Sequence, residues 1–112
     1  MSRDETYLLD MLLAARKIRR FAERASKDAF QADELAQMGL IHLIQIVGEA
    51  ARGISAEFRA SHPEIPWQEV IGMRHRLVHD YLNVDLGRVW KTVEEDIPQL
   101  IRQLEKFVED RK

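Results

Sequence analysis

The sequence predicts an all-α bundle in a single domain over residues 1–112, and three observations support this prediction. Apolar residues recur at spacings of three and four along most of the chain, which is the periodicity of amphipathic helices. No stretch shows the sustained alternation of apolar and polar residues that predicts a strand. The 112 residues, 46% hydrophobic and 32% charged, suit one globular domain with a modest core.

The first half of the chain predicts two long helices. Residues 4–25 carry one apolar stripe at helical spacing and form the first of them. The second is expected over residues 33–52, because Asp33 suits an N-cap and Gly53 a C-terminal stop. Its apolar stripe is wide, so we expect this helix to pack on more than one side.

The second half predicts shorter helices and then a long helical segment. Ser55 is expected to cap a short turn, and Pro66 suits the first turn of a third helix over residues 66–79. Asp85 is the expected N-cap of the final segment. Pro98 lacks a backbone N–H, so it should kink that segment or divide it in two. The total is four to five helices.

Composition excludes several classes of site. The chain has no cysteine, so disulfides and thiolate metal centres are excluded, which suits a reducing cytoplasm. The early charges predict no signal peptide, and no apolar run approaches the ~20 residues that span a membrane. We therefore expect a cytoplasmic protein with no membrane association. The net charge of −2 gives no general attraction for nucleic acid, so any such attraction must be local.

The segment Gly72–Tyr81, which reads GMRHRLVHDY, is the richest in chemistry. Arg74 stays protonated and can stabilise charge on a phosphate, while His79 titrates near neutrality and can move protons. Together they predict metal-free chemistry on a phosphodiester. On an ideal helix the two residues lie about 140° apart, so they converge only if the helix ends or distorts near His79, or if a second subunit completes the site. The alternative is a structural ion-pair or capping cluster at a helix terminus.

Together with its flanking residues, this motif resembles the HepT family of HEPN-domain toxins. The shared features are Arg74-x4-His79-x-Tyr81, the preceding segment 63–67, the following segments 83–86 and 89–90, the upstream segment 46–51 and the start of the chain at 3–10. The resemblance implies a HEPN-type up-and-down bundle that forms a homodimer with a composite site. It also implies a partner, an MntA-like minimal nucleotidyltransferase that serves as antitoxin.

The resemblance further implies a metal-independent endoribonuclease with no cofactor. An RNA 2′-hydroxyl would attack the adjacent phosphate, with Arg74 binding that phosphate and His79 acting as general base or acid. Tyr81 would receive AMP from the partner, which would silence the enzyme, and tRNA is the candidate substrate. His75 and Arg76 are assigned as catalytic support, although His75 departs from the Asn that is usual in this family.

Other readings of these side chains remain open. His75 and His79 have the spacing of two metal ligands on a helix, but Arg76 stands where a metalloprotease has Glu, so we expect no metal. Tyr81 could simply pack its ring, and Glu49 could serve a surface pair or a dimer seam. The remaining histidines and both tryptophans are predicted to be structural; they are His42, His62, Trp67 and Trp90.

The rival prediction is a non-catalytic HEPN binding module that assembles with the nucleotidyltransferase. In that case the motif is a docking or recognition surface. The near-neutral charge of the chain and the presence of His75 favour this alternative.

Overall fold

The computed structural model of the chain describes residues 2–80 and 83–108, with the side chains of residues 79 and 80 outside that description. The described helices are α1 Arg3–Arg24, α2 Lys27–Gln31, α3 Glu34–Gly53, α4 Ala56–Ser61, α5 Trp67–Ile71, α6 Met73–Leu77, α7 Leu86–Lys91 and α8 Ile97–Leu104. A π-helical turn, Thr92–Asp96, joins α7 to α8. Two short strands, β1 Val78–Asp80 and β2 Asn83–Val84, pair antiparallel. None of the described helices has the length and apolar character needed to cross a bilayer.

Helix α1 lies at the centre of the packing and confirms the all-α prediction. It packs most extensively on α3 and next on α8, and its buried stripe includes Met11, Leu12 and Ile18. Both tryptophans are buried, as predicted, and the ring of Trp90 packs 5.2 Å from that of Phe30. The long helices therefore hold one continuous core, which is the arrangement that amphipathic stripes favour.

Side-chain caps start the helices where the sequence predicted them. The Asp33 carboxylate accepts a hydrogen bond from the Ala36 N–H, and the Asp85 carboxylate accepts one from the Arg88 N–H. The Ser55 hydroxyl likewise accepts from the Phe58 N–H and begins α4. These bonds satisfy donors that the first turn of a helix leaves unpaired.

The predicted third helix over residues 66–79 is wrong in its extent. Helices α5 and α6 meet at Gly72, and α6 ends at Leu77. The Asp85 N–H donates to the Leu77 carbonyl at 3.0 Å, which closes this end, and the chain continues as β1. The strand pair was not predicted because three residues and two residues are too few to show alternation.

The division of the final segment near Pro98 is confirmed. Pro98 lies in the first turn of α8, where a missing N–H is tolerated, and the π-helical turn directly precedes that helix. Buried residues continue across the division, from Val93 to Ile97 and Leu100, so the change of hydrogen bonding preserves the apolar stripe.

The start of α1 is attached to the junction between α3 and α4. The Asp4 carboxylate accepts hydrogen bonds from the Ser55 N–H at 2.8 Å and the Ser55 hydroxyl at 2.7 Å. These bonds, the backbone one foremost, lower the pKa of the Asp4 carboxyl below its ordinary value. The Tyr7 ring packs closely on Gly53, because a Cβ added at residue 53 would lie 2.6 Å from the Tyr7 Cζ.

Gly48 allows α3 to approach the end of α5 closely. A Cβ at this position would lie 3.1 Å from the Ile71 carbonyl oxygen and 3.2 Å from that of Val70. Both neighbours are backbone atoms, so relieving the contact requires moving α5 rather than a flexible side chain. Gly39 lies in the same helix, and a Cβ there would have no atom within 4 Å.

We expect Gly48→Ala to destabilise the protein and Gly39→Ala to stabilise it. Crowding at residue 48 should cost about 1–2 kcal/mol after the gain in helix propensity, whereas residue 39 gains up to about 1 kcal/mol from propensity alone. Thermal unfolding of the two variants measures both effects. Equal changes in Tm would contradict the close approach of α3 to α5.

We expect Asp4→Asn to weaken the dependence of stability on acid. Because the pKa of Asp4 is lowered in the folded state, its contribution is present above the unfolded pKa and is lost as pH falls through the folded pKa. The variant should unfold at a lower Tm near neutral pH and should lose less Tm on acidification. Thermal scans from neutral to acidic pH check this, and parallel curves for the two proteins would contradict it.

Candidate active-site groove

A groove of 580 Å³ lies between the N-terminal half of α3 and the segment that runs from α6 to α7. Its walls combine an apolar surface with polar and cationic groups. The lining residues are Glu34, Gln37, Met38, Ile41, His42, Gln45, Arg74, Val78, Val84 and Leu86. Part of the sequence motif therefore faces a segment of α3 that precedes Arg74 by about thirty to forty positions.

Arg74, the predicted phosphate-binding residue, lines this groove. It lies on α6 and is partly buried. Its Nε is enclosed and has no hydrogen-bond partner among the described atoms. A guanidinium matches a phosphate in charge and geometry, so the Arg74 side chain is suited to bind one in the groove.

His79 follows Arg74 on a different kind of backbone. Helix α6 ends at Leu77, and residue 79 belongs to β1, beside Val78 in the groove wall. On a continuous helix Arg74 and His79 would lie about 140° apart. Because α6 ends between them, that angle does not describe their arrangement. The side chain of His79 and the whole of Tyr81 lie outside the described residues, so their roles stay predictions.

The two predicted supporting residues lie apart from this groove. His75 is exposed on α6, and Arg76 donates from Nη2 to the Glu69 carbonyl at 3.0 Å. Arg76 lines a smaller cavity of 280 Å³ with Arg88, Lys91 and Asp96 among its walls. Arg74 and Arg76 thus line different cavities, although only one residue separates them in the sequence.

The acid in the smaller cavity has a perturbed environment. Desolvation raises the pKa of the Asp96 carboxyl, the charge of Glu95 raises it further, and Arg76 opposes the change.

Among the described side chains, His, Asp and Glu form no group of three or more that could hold a metal ion.

The α3 wall of the groove was missed by the sequence analysis. Met38, His42 and Gln45 are spaced four and three apart, so they share one helix face. His42 was predicted to be structural, whereas it is exposed and lines the groove. The signal available in the sequence was the interruption of an apolar helix by polar groups at these spacings, which alone does not reveal the opposite wall.

His62 does have the structural environment that was predicted. Its ring packs 4.3 Å from that of Phe58 and 4.5 Å from that of Phe107. Its Nδ1 lies 3.5 Å from the Glu64 carboxylate, and its carbonyl accepts a hydrogen bond from the Trp67 indole N–H. This histidine joins the loop after α4 to the C-terminal part of the described chain.

Comparisons with known proteins agree on one family. Residues 11–107 match the family model described as ribonuclease HepT-like. The protein named "Probable ribonuclease HepT" of Thermococcus cleftensis is 41% identical over 101 residues, which cover 90% of this chain and 92% of that relative. A protein of Methanocaldococcus jannaschii that is named as a candidate RNase is 32% identical, with 90% and 93% of the two chains covered. No solved structure gives a significant match.

Proposed function

Because the chain belongs to the ribonuclease HepT-like family, as the match over residues 11–107 shows, we propose that it is a metal-independent endoribonuclease toxin. The observation that carries this proposal is the position of Arg74, which lines an open groove and whose guanidinium matches a phosphate in charge and geometry. His79, in the strand that follows, supplies a titratable imidazole close by along the chain.

The reaction we propose is an internal transfer at phosphorus. The 2′-oxygen of the RNA forms a bond to the adjacent phosphorus while the bond to the 5′-oxygen breaks, giving a cyclic phosphate and a free 5′-hydroxyl. Arg74 stabilises the charge that builds on the phosphate oxygens. His79 takes the proton of the 2′-hydroxyl or gives one to the 5′-oxygen. DNA lacks the attacking hydroxyl and is not a substrate.

A local cluster of cations supports RNA binding despite the net charge of −2. Arg76, Arg88 and Lys91 line the cavity beside α6, and Arg74 lies in the groove on the other side of the motif. Positive charge therefore lines both cavities beside the motif, where it can attract a polyanion over short range. We assign Arg76 and His75 to this supporting role, and tRNA is the substrate we propose.

Assembly and regulation complete the proposal. A homodimer would bring two copies of the motif to a shared cleft, so that one imidazole could act as base and the other as acid. An MntA-like nucleotidyltransferase antitoxin would transfer AMP to Tyr81, two residues after His79. The added phosphate would repel RNA, and the added bulk would block the site.

A non-catalytic binding module is the second candidate. The placement of Arg76 in a separate cavity from Arg74 favours it, since the predicted cationic residues then do not act on one phosphate. In this case the groove would bind RNA or the partner protein, and the protein would not cleave RNA.

We expect the purified protein to cleave tRNA in EDTA and to leave cyclic-phosphate ends. Arg74→Ala and His79→Ala should each reduce the rate by about 10²–10³-fold, because a charge-stabilising group or a proton-transfer group is lost. Arg102→Ala, an exposed arginine on α8, is the matched control and should cleave normally. Intact RNA from unmodified wild-type protein would favour the binding module.

We expect modification to occur at Tyr81 and nowhere else among the tyrosines. The chain has two tyrosines, and the other, Tyr7, packs its ring on Gly53. With ATP and the partner nucleotidyltransferase, wild type and Tyr7→Phe should gain the mass of an adenylate and lose cleavage activity. Tyr81→Phe should show neither change. Adenylate on this variant, detected by mass spectrometry, would remove Tyr81 from the proposal.

A further inference from the structure

The α3 wall exposes an apolar side chain in the groove that also contains the cation Arg74. Met38 keeps 68% of its surface exposed and lines the groove that Arg74 also lines. Leu35, one turn earlier on the same helix, is 81% exposed but does not line it. The thioether of methionine is flexible and polarizable and makes favourable contacts with aromatic rings.

The remainder of the groove is suited to a ligand with one anionic end and one flat apolar part. Ile41, Val84 and Leu86 continue the apolar surface, while Arg74 supplies a cationic guanidinium to the same groove. The volume of 580 Å³ falls within the range of about 300–1,000 Å³ that is typical of small-molecule sites. Between Glu34 and Gln45 the α3 wall is about 16 Å long, which accommodates a base with its ribose and phosphate.

Polar groups on the same wall can contact the edge of a base. His42 is exposed on the wall, and the amide of Gln45 donates to the Glu49 carboxylate at 3.0 Å. That bond orients the Gln45 side chain and leaves its carbonyl oxygen as an acceptor for an exocyclic amine or a ring N–H. The α3 wall thus combines the hydrogen-bonding groups of His42 and Gln45 with an apolar surface.

We propose that this groove is a nucleoside subsite, in which one unpaired nucleoside of the RNA rests its base on Met38 while its phosphate binds Arg74. The inference deepens the proposed ribonuclease function and rests on it for the identity of the substrate. Because every base has a π-face, the contact with Met38 itself is independent of sequence and selects unpaired over paired RNA.

The first test follows binding without cleavage. Protein labelled on methionine methyl groups and on arginine guanidinium nitrogens is titrated with AMP and, separately, with inorganic phosphate. AMP should shift the Met38 methyl through the ring current of the base, while the buried Met11 methyl stays in place. Phosphate alone should shift the guanidinium resonances of Arg74 and leave Met38 unchanged. An unmoved Met38 methyl at saturating AMP would overturn the subsite.

The second test uses cleavage kinetics with single-stranded RNA in EDTA. Met38→Ala should raise KM about two- to tenfold with little change in kcat, because a base contact is lost and the reacting groups stay in place. Leu35→Ala is the matched control and should leave both constants within about twofold. Equal effects of the two substitutions would contradict a base contact at Met38.

The outcomes separate this inference from the proposed function. Cleavage that is insensitive to Met38→Ala would overturn the subsite and leave the ribonuclease intact. A Met38 shift with AMP in a protein that cuts no RNA would support the nucleotide site and contradict the enzyme. If Met38→Ala, unlike Leu35→Ala, instead weakens self-association in sedimentation experiments, a second copy of the chain covers this wall and the subsite is excluded.

Discussion

The hydrogen bond from the Asp85 N–H to the Leu77 carbonyl joins the end of α6 to the start of α7 beside the candidate site. It closes α6 and lets the chain leave the helix as a strand. The side chain of the same aspartate caps α7. One residue therefore ends one helix and begins another, and the motif between them is divided into a helical part with Arg74 and an extended part with His79. Continuous helix would have turned these two residues away from each other.

The groove also depends on how closely α3 approaches the α5–α6 segment. Gly48 removes the side chain that would hold these elements apart, and the carbonyls of Val70 and Ile71 occupy the vacated space. The helix that carries Met38, His42 and Gln45 then faces Arg74 across an open groove. A backbone contact outside the groove thus contributes to the spacing of its two walls, which is a common way for a rigid scaffold to position a site.

The sequence predicted correctly those features that depend on short-range interactions along the chain. The bounds of α1 and α3, the capping roles of Asp33 and Asp85, and the division near Pro98 follow from short-range hydrogen bonding and helical periodicity. The strand pair and the break at Gly72 were missed, because each involves too few residues to form a pattern. The α3 wall was missed for a different reason: it meets Arg74 only through tertiary packing, which spacing along the chain does not encode. For the same reason, the neighbours Arg74 and Arg76 were predicted to act together, although their side chains serve different cavities.

The placement of the two tryptophans has a practical consequence for spectroscopy. Trp67 and Trp90 are both buried, the first beside the carbonyl of His62 and the second against Phe30, and neither lines the groove that contains Arg74. Intrinsic fluorescence should therefore report the integrity of the core and respond little to occupancy of the groove. A quenching titration with RNA would be a poor measure of binding here, whereas the same signal cleanly separates variants that fail to fold from variants that fold and fail to act.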